Sequence, residues 1–319
     1  MSSIVGCHAN RVIALDAGGR VCDRPAMQSA RGGVLAAVAA FVLWGILPVF
    51  WKALDFLPPL VIVAQRTLWA LVLLWVILLW RRHGREALAG LARPREVMWN
   101  AAAALLLGTN WLLYVWATLN DRIIEGALGY YLNPFFNILF GMLWFGERHG
   151  RTQRIAIGLA LCGVALQVPA VDGWPWVALV LAVTFSLYGV VRKRASTGAL
   201  VGLTIETTLL APLAVVLLWL MVASPVEAFG GSWGNLWLVA AAGAATVAPL
   251  WCFGHAARSI RLSTLGILQF IGPTLQFFIG WKWYGEPMGG LRLASFGLIW
   301  GAVAMYAVDA WRRRISDLP

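Results

Sequence analysis

Two charged side chains, Arg66 and Glu206, fall inside long apolar stretches of this 319-residue chain. A charge at the centre of a bilayer costs roughly 2.5–3.5 kcal/mol on insertion scales, so each should face a partner, a cavity or water. Arg66 is predicted to line a polar pathway, and extension of its side chain to the headgroups is the alternative. Glu206 is predicted to exchange protons, because burial raises the affinity of a carboxylate for protons. A structural hydrogen-bonding role is the alternative for Glu206.

Proline and amide residues interrupt two of these apolar stretches in a similar pattern. "YLNPFFNILFGMLWFGE" (131–147) and "LQFIGPTLQFFIGWKWYGE" (268–286) both place a glutamate thirteen residues after a proline. A proline inside a helix frees the carbonyl four residues earlier, which a membrane tolerates only against protein or a wet cavity. We therefore expect Pro134 and Pro273 to break or bend helices that line a pathway, with a packing kink as the alternative. Glu147 is expected to cap the next helix, because a carboxylate opposes the dipole at a helix C-terminus.

The composition predicts an all-α integral membrane protein. Hydrophobic residues make up 61% of the chain and charged residues 12%, and there are 19 tryptophans, a residue that favours the membrane interface. A soluble domain has about 45–50% apolar and roughly 25% charged residues. Ten runs are long enough to cross a bilayer. They are residues 33–51, 60–80, 97–117, 126–145, 155–171, 174–191, 199–222, 235–255, 263–283 and 291–310.

The basic residues predict the orientation of these spans. With a cytoplasmic N-terminus, 20 of the 25 Lys and Arg residues fall on the inside and four on the outside, as the positive-inside rule requires. Both termini are then cytoplasmic, and the net charge of +11 reflects topology instead of nucleic-acid binding. Residues 1–30 are predicted to be a disordered cytoplasmic tail, with Met27 as an alternative start. The tail holds two of the four cysteines, so no disulfide framework is expected.

An internal duplication predicts two repeats of opposite orientation. Residues 109–129 align with residues 246–266 at an offset of 137, so the fourth span corresponds to the ninth. The repeats are residues 31–171 and 172–311, each with five helices, followed by a cytoplasmic tail over 312–319. An odd number of spans inverts the second copy, which gives a pseudo-twofold axis in the membrane plane. Arg66 and Glu206 occupy aligned positions, but their helices cross the bilayer in opposite directions. We therefore expect the two side chains to flank a central cavity without direct contact.

Four segments carry a resemblance to a known family. They are "FVLWGILPVFWK" (41–52), "GTNWLLYVWA" (108–117), "EGALGYYLNPFFNILFGMLWFGER" (125–148) and "RLSTLGILQFIGPTLQFFIGWKWYGE" (261–286). The chain resembles RarD-type members of the EamA branch of the drug/metabolite transporter superfamily. The resemblance implies a ten-helix permease of the bacterial inner membrane that exports small metabolites or drugs. RarD-type sequences usually place a histidine before the arginine of the second span, where this chain has Gln65. A proton relay through that histidine is therefore in doubt.

The predicted function is secondary transport of small organic solutes by alternating access, with proton coupling through Glu206. The other residues predicted to line the substrate pathway share amide, aromatic or proline side chains, and helix-to-helix hydrogen bonding is the alternative for the amides. Together with Arg66 they are Asn110, Trp111, Tyr114, Tyr130, Asn133, Pro134, Asn137, Gln269, Pro273 and Gln276. Trp44, Trp116, Tyr131 and Trp251 could extend the aromatic wall for flat or cationic solutes.

Other function classes receive less support from the sequence. An enzyme is not predicted, because no span carries two carboxylates and no HExxH motif is present. No nucleotide, cofactor or metal is predicted, since the chain has no GxxxxGK[ST] loop. A membrane receptor or a passive channel is the alternative function. The predicted partners are a small-molecule solute and membrane lipid. Gly297 and Gly301 form a GxxxG pattern that serves either internal packing or a homodimer.

Overall fold

The structure is a computed structural model of an α-helical bundle. It describes residues 7–8, 11–12, 14–15, 21–22, 24–119, 123–166, 168, 174–283 and 290–316. The helices are α1 (Arg24–Lys52), α2 (Pro59–Trp80), α3 (Gly84–Leu91), α4 (Pro94–Leu119), α5 (Ile123–Phe145), α6 (Arg151–Ala165), α7 (Trp176–Arg194), α8 (Ala199–Met221), α9 (Leu236–Ser259), α10 (Leu262–Gln269), α11 (Ile271–Trp283) and α12 (Gly290–Ser316).

Several helices have the length and composition of membrane spans. Within the described residues, five segments qualify: Ala30–Lys52, Pro59–Trp80, Trp176–Arg194, Ala199–Met221 and Trp233–Ser259. Large apolar side chains remain exposed on their outer faces, among them Val72 and Val76 of α2 and Val215 and Val216 of α8. A soluble protein rarely exposes such contiguous apolar surface. The protein is therefore an all-helical membrane protein with multiple spans.

The N-terminal segment and the first inside loop contain elements that the sequence analysis did not predict. Helix α1 begins at Arg24, within the segment expected to be a disordered tail, and two-residue antiparallel pairs precede it. Helix α3 lies in a segment that was read as a loop. It packs on α8 so closely that a Cβ added at Gly90 would approach Cδ1 of Ile205 to 2.7 Å. Packing against a neighbouring helix stabilises this short element.

The two proline-containing segments have different backbones. Helix α5 continues through Pro134 from Ile123 to Phe145, so the helix does not break there, and a bend at Pro134 stays a prediction. In the second copy the helix is divided into α10 and α11 at Phe270, three residues before Pro273. Gly285 and Glu286, which complete the second copy, lie outside the described residues. The first copy ends at Gly146, whose φ of +62° is a left-handed conformation suited to glycine.

Helix packing joins the N-terminal and C-terminal halves of the chain throughout. Helix α1 packs on α9 and α11, α2 on α8 and α9, α5 on α7 and α10, and α6 on α12. Most of the interior is one apolar cluster that includes Phe41, Leu74, Leu107, Tyr188 and Phe253. The bundle therefore has no separate core for each half, and any interior site combines residues from both.

Candidate functional site

A cavity of about 200 Å³ lies within the bundle, among helices from both halves of the chain. It is lined by Phe41, Trp44, Leu47, Pro48, Trp51, Val63, Arg66, Asn110, Trp111, Tyr114, Tyr130, Phe185, Leu250, Gln269, Gly272, Pro273 and Gln276. The lining residues of α1 lie between Phe41 and Trp51, in the C-terminal half of that helix. Those of α2 are Val63 and Arg66, in the N-terminal half of that helix. The cavity thus extends from the middle of the bundle toward the end where α1 finishes and α2 begins.

Arg66 is the one charged residue among the described residues of this lining, and neutral groups hold its side chain in place. Its Nε donates a hydrogen bond of 3.0 Å to Oγ1 of Thr246 on α9. The guanidinium carbon lies 5.0 Å from the ring centroid of Trp51 and 4.3 Å from that of Trp111. Both distances are within the range of a cation–π interaction. Three neighbouring helices therefore fix the position of the guanidinium group at the cavity wall.

The amide side chains at the cavity bond mainly to helix backbone. Nδ2 of Asn110 donates to the carbonyl of Leu181 at 2.9 Å and to Oγ1 of Thr184 at 3.1 Å. Gln276 donates from Nε2 to the carbonyl of Trp44 at 3.2 Å. These bonds use amide N–H donors and leave the Oδ1 and Oε1 acceptors of Asn110 and Gln276 beside the cavity. Both residues join neighbouring helices and also supply polar surface.

Aromatic rings form the apolar part of the wall. Trp44 contacts Phe41 with ring centroids 5.8 Å apart and Phe185 with centroids 5.6 Å apart. Tyr114 and Tyr130 meet edge to face at 5.5 Å. Phe253 packs behind Trp44 and Phe185, so the wall is continuous with the main apolar cluster. Rigid rings arranged in this way favour a flat or apolar portion of a solute.

Glu206 does not line the cavity, contrary to the expectation that it flanks one together with Arg66. Its Oε1 accepts a 2.9 Å bond from Nη1 of Arg192, and both side chains are 1% exposed. Oε2 of Glu206 accepts from Oη of Tyr188 at 3.2 Å. Glu206 thus forms a buried ion pair, and the absence of contact between Arg66 and Glu206 agrees with the predicted separation. A role in proton coupling stays a prediction.

Arg192 is a buried residue that sequence reasoning placed in a cytoplasmic loop. In addition to Glu206, its guanidinium donates to Oδ1 of Asn100 at 3.4 Å and to the carbonyl of Gly198 at 3.1 Å. A Cβ added at Gly202 would approach Nη1 of Arg192 to 2.1 Å. Glycine at position 202 therefore makes the room in which the guanidinium lies. The run Arg192-Lys193-Arg194 gave no sequence signal that its first member turns inward.

Further polar contacts surround this ion pair where several helices begin or end. Glu147 accepts hydrogen bonds from the backbone N–H groups of Leu262 at 2.7 Å and Ser263 at 3.0 Å, and from the hydroxyl of Ser263. Glu147 thus caps α10, not the next helix α6 as expected from the sequence. Arg258 also donates to the carbonyls of Ala195 and Thr197. We call this region, centred on Arg192, Glu206, Glu147 and Ser263, the polar end.

The structure brings eight of the eleven predicted pathway residues to the cavity. They are Arg66, Asn110, Trp111, Tyr114, Tyr130, Gln269, Pro273 and Gln276. Asn133, Pro134 and Asn137 do not line it. Asn137 donates to Oε1 of Gln269 at 2.9 Å, whereas the amide of the fully buried Asn133 has no hydrogen-bond partner among the described residues. A role for all eleven in transport stays a prediction.

Several cavity residues were not predicted as members of the site. Trp51 and Phe41 were not singled out from the sequence, while Trp44 entered only as part of a possible aromatic wall. Trp116, Tyr131 and Trp251 of that wall are absent from the lining. Trp251 instead packs against the guanidinium of Arg81, at 5.1 Å. The sequence alone does not distinguish an apolar residue that lines a cavity from one that packs in the core.

Comparisons with known proteins identify relatives over most of the chain. A model of the EamA-like transporter family matches residues 31–168. An uncharacterized transporter of Pseudomonas aeruginosa is 42% identical over 284 residues, which are 88% of this chain and 95% of that protein. Protein RarD of Escherichia coli is 39% identical over 281 residues, again 88% and 95% of the two chains. The chloramphenicol-sensitive protein RarD of Pseudomonas aeruginosa is 30% identical over 286 residues, with 88% and 95% covered.

A solved crystal structure resembles the fold with a TM-score of 0.69. It is 20% identical in sequence, and the alignment covers 88% of this chain and 98% of the other. At that identity the likeness concerns the arrangement of the helices alone.

Proposed function

Because the chain belongs to the EamA-like transporter family, as a RarD-type member, we propose that it moves small organic solutes by alternating access as a secondary transporter. The observation that carries this proposal is the position of the cavity. The cavity occupies one half of the bundle, while ion pairs and helix caps join the helices at the polar end. A site accessible from one side and closed on the other is one state of an alternating-access cycle.

The distribution of basic residues supports an assignment of sides. With 20 of the 25 Lys and Arg residues inside, the polar end faces the cytoplasm and the cavity lies toward the outside. Arg148, Arg192, Arg258 and Arg261 all belong to helix ends or loops of that end. We propose that the structure represents an outward-facing state of an exporter of the bacterial inner membrane. Separation of the polar end would open the cavity to the cytoplasm.

Helix packing supports the inverted repeat. In the proposed repeats, α1, α2, α4, α5 and α6 correspond to α7, α8, α9, α10–α11 and α12. If each helix is replaced by its counterpart in the other repeat, the contact of α5 with α7 becomes a contact of α11 with α1, and both contacts are observed. In the same way the contact of α1 with α9 becomes the observed contact of α7 with α4. The pairs α2–α8, α6–α12 and α5–α10 map onto themselves. A pairing pattern that survives this exchange is expected of two copies related by a pseudo-twofold axis.

We propose Glu206 as the proton-exchanging group of the cycle. It is paired with Arg192 while the polar end is closed. Opening that end would separate and hydrate the two groups, and Glu206 could then exchange a proton with the cytoplasm. The export step would thus be linked to the same contacts that close the cavity.

Entrance counterflow in proteoliposomes tests the transport proposal. Reconstituted protein would be preloaded in turn with amino acids, other metabolites and chloramphenicol, and uptake of the same labelled compound would be measured. We expect counterflow for at least one compound, and Trp44→Ala should reduce its initial rate because Trp44 lines the cavity. Trp219→Ala is the matched control, since Trp219 is 79% exposed on the outer surface of α8. Equal rates in wild type and Trp44→Ala would place the pathway elsewhere.

The coupling proposal requires a separate measurement with the same vesicles. A proton gradient across the membrane should change the rate for wild type, and Glu206→Gln should respond less because it has no ionisable carboxyl group. Thermal stability must be measured alongside, since this substitution also alters the ion pair. An equal response of wild type and variant to the gradient would remove Glu206 from the coupling role.

A further inference from the structure

Arg66 has hydrogen-bonding capacity that the described residues leave unused. Its Nε is bonded to Thr246, and the two indole rings contact the guanidinium group without accepting a conventional hydrogen bond. Across the described part of the chain, no carboxylate pairs with Arg66, and neither Nη1 nor Nη2 has a hydrogen-bond acceptor. An arginine carries five N–H donors. Four of them therefore have no acceptor among the described residues and are available to a solute.

Leaving a cation inside the bundle without a counterion is unfavourable unless something else compensates it. Buried charges in proteins are normally paired and hydrogen-bonded. Arg192, in the same molecule, follows that rule with a carboxylate at 2.9 Å. Arg66 lies beside an open cavity instead, so the compensating charge has room to enter from the solvent.

We propose that the cavity binds an organic monoanion, with a carboxylate held by Arg66 and an apolar ring held by the aromatic wall. This inference rests on the proposed transport function and names the class of solute for its cavity. The two Nη groups present parallel N–H donors, the arrangement that binds a carboxylate in a bidentate manner. Tyr130 lines the same cavity as Arg66, so its hydroxyl can act as a further donor for the carboxylate.

The remainder of the lining limits the charge and shape of the solute. Asn110, Gln269 and Gln276 supply uncharged polar groups, so a second negative charge would find no cationic partner among the described lining residues. A solute with a lone ammonium group would place its charge beside Arg66 and be repelled. Trp44, Phe41 and Phe185 offer apolar ring surface away from the guanidinium. The cavity therefore selects one negative charge attached to a compact apolar body.

Three compounds of matched shape test this selection. Phenylacetate, phenylacetamide and phenethylamine share a benzyl group and differ in the charge of the attached group. Their binding to the purified full-length protein in detergent would be measured at pH 7.5 by isothermal titration calorimetry. We expect phenylacetate to bind at least about tenfold more tightly than either other compound, because only it forms charge-assisted bonds with Arg66.

Two substitutions at Arg66 separate charge from geometry. Arg66→Gln should weaken phenylacetate binding at least about tenfold, because the salt bridge is lost. Arg66→Lys should give an intermediate affinity, since it keeps the charge and loses the planar fork. Thr246→Val provides an independent test: it keeps the guanidinium but removes its anchor, and should weaken phenylacetate binding by a smaller factor. Arg81→Gln is the matched control, because Arg81 also lies over an indole but at the other end of α2.

The possible results distinguish this inference from the transport proposal. The anion assignment is overturned if phenylacetamide or phenethylamine binds as tightly as phenylacetate, if Arg66→Gln binds phenylacetate normally, or if none of the three compounds binds. Counterflow of any solute that depends on Trp44 would leave the transport function standing in each of those cases. Loss of both binding selectivity and counterflow would instead count against the proposed function itself.

Discussion

Arg66 and Arg192 are two guanidinium groups inside one bundle, and their surroundings differ in kind. Arg192 is 1% exposed and donates to a carboxylate, an amide oxygen and backbone carbonyls. Arg66 donates to one hydroxyl group and otherwise contacts indole rings beside a cavity. The first arrangement satisfies the cation within the protein. The second leaves the cation incompletely satisfied among the described residues, which suits the solute-binding role proposed for Arg66.

The largest predicted effect comes from breaking the Arg192–Glu206 pair. Glu206→Ala would leave Arg192 charged and buried without a counterion, and we expect a loss of about 3–5 kcal/mol of folding free energy. The measurement is thermal unfolding of the purified protein in detergent, with the amount inserted in the membrane as a second readout. Glu86→Ala is the control, because Glu86 pairs with His83 where both side chains are 55% exposed. A melting temperature unchanged by Glu206→Ala would show that the pair is not structural.

The helix cap at the polar end should have the next largest effect. Glu147→Ala removes the acceptor for two backbone N–H groups at the start of α10, and loss of a cap costs roughly 0.5–2 kcal/mol. Glu147→Gln keeps one side-chain acceptor oxygen and should lose less. The thermal unfolding of the two variants, compared with wild type, checks this order. Equal destabilisation by both would mean that the charge of Glu147, and not its hydrogen bonds, supports α10.

Substitution of Asn133 should have an effect of the opposite sign. Its amide is fully buried, and neither Oδ1 nor Nδ2 has a partner among the described residues. An unsatisfied buried polar group costs roughly 1–3 kcal/mol. Asn133→Leu, which keeps the number and branching of the side-chain heavy atoms, should therefore raise the thermal midpoint of unfolding. A lower midpoint would indicate that the amide has partners in the folded protein beyond those described. Asn137→Leu is the contrasting variant, because it loses the hydrogen bond to Gln269 and should not be stabilised in this way.

The contrast between the two arginines also shows how far the sequence alone predicts the site. The depth of Arg66 could be read from its place near the start of a long apolar run, and most of the predicted amides and aromatics do line the cavity. The burial of Arg192 could not be read, because a run of three basic residues at a helix end is typical of a cytoplasmic loop. Its partner Glu206 lies on the following helix, 14 residues further along the chain, and only the fold brings the two side chains together.

The two proline-containing segments illustrate the same limit for the backbone. Their sequences predict the same distortion, yet α5 is continuous through Pro134 while the second copy divides at Phe270. The continuous helix α5 is also in close contact with neighbouring backbone. Gly266 of α10 packs so closely on α5 that an added Cβ would lie 2.7 Å from the carbonyl oxygen of Pro134. Local sequence sets where a helix can distort, but contacts between helices determine whether it does.

The smallest predicted effect is the change in folding stability caused by Arg66→Gln, and it tests the difference between the two arginines most directly. Arg66→Gln removes a cation that has no carboxylate partner in the described protein, so no opposite charge is left buried. The lost cation–π contacts and the bond to Thr246 are offset by relief of desolvation, and we expect a change within about 1 kcal/mol. Arg192→Gln, the matched substitution, should lose several times more because it leaves Glu206 unpaired. Thermal unfolding of both variants in one detergent compares them directly. If Arg66→Gln proved as unstable as Arg192→Gln, both guanidinium groups would be structural, and the distinction between a satisfied arginine and a solute-binding one would fail.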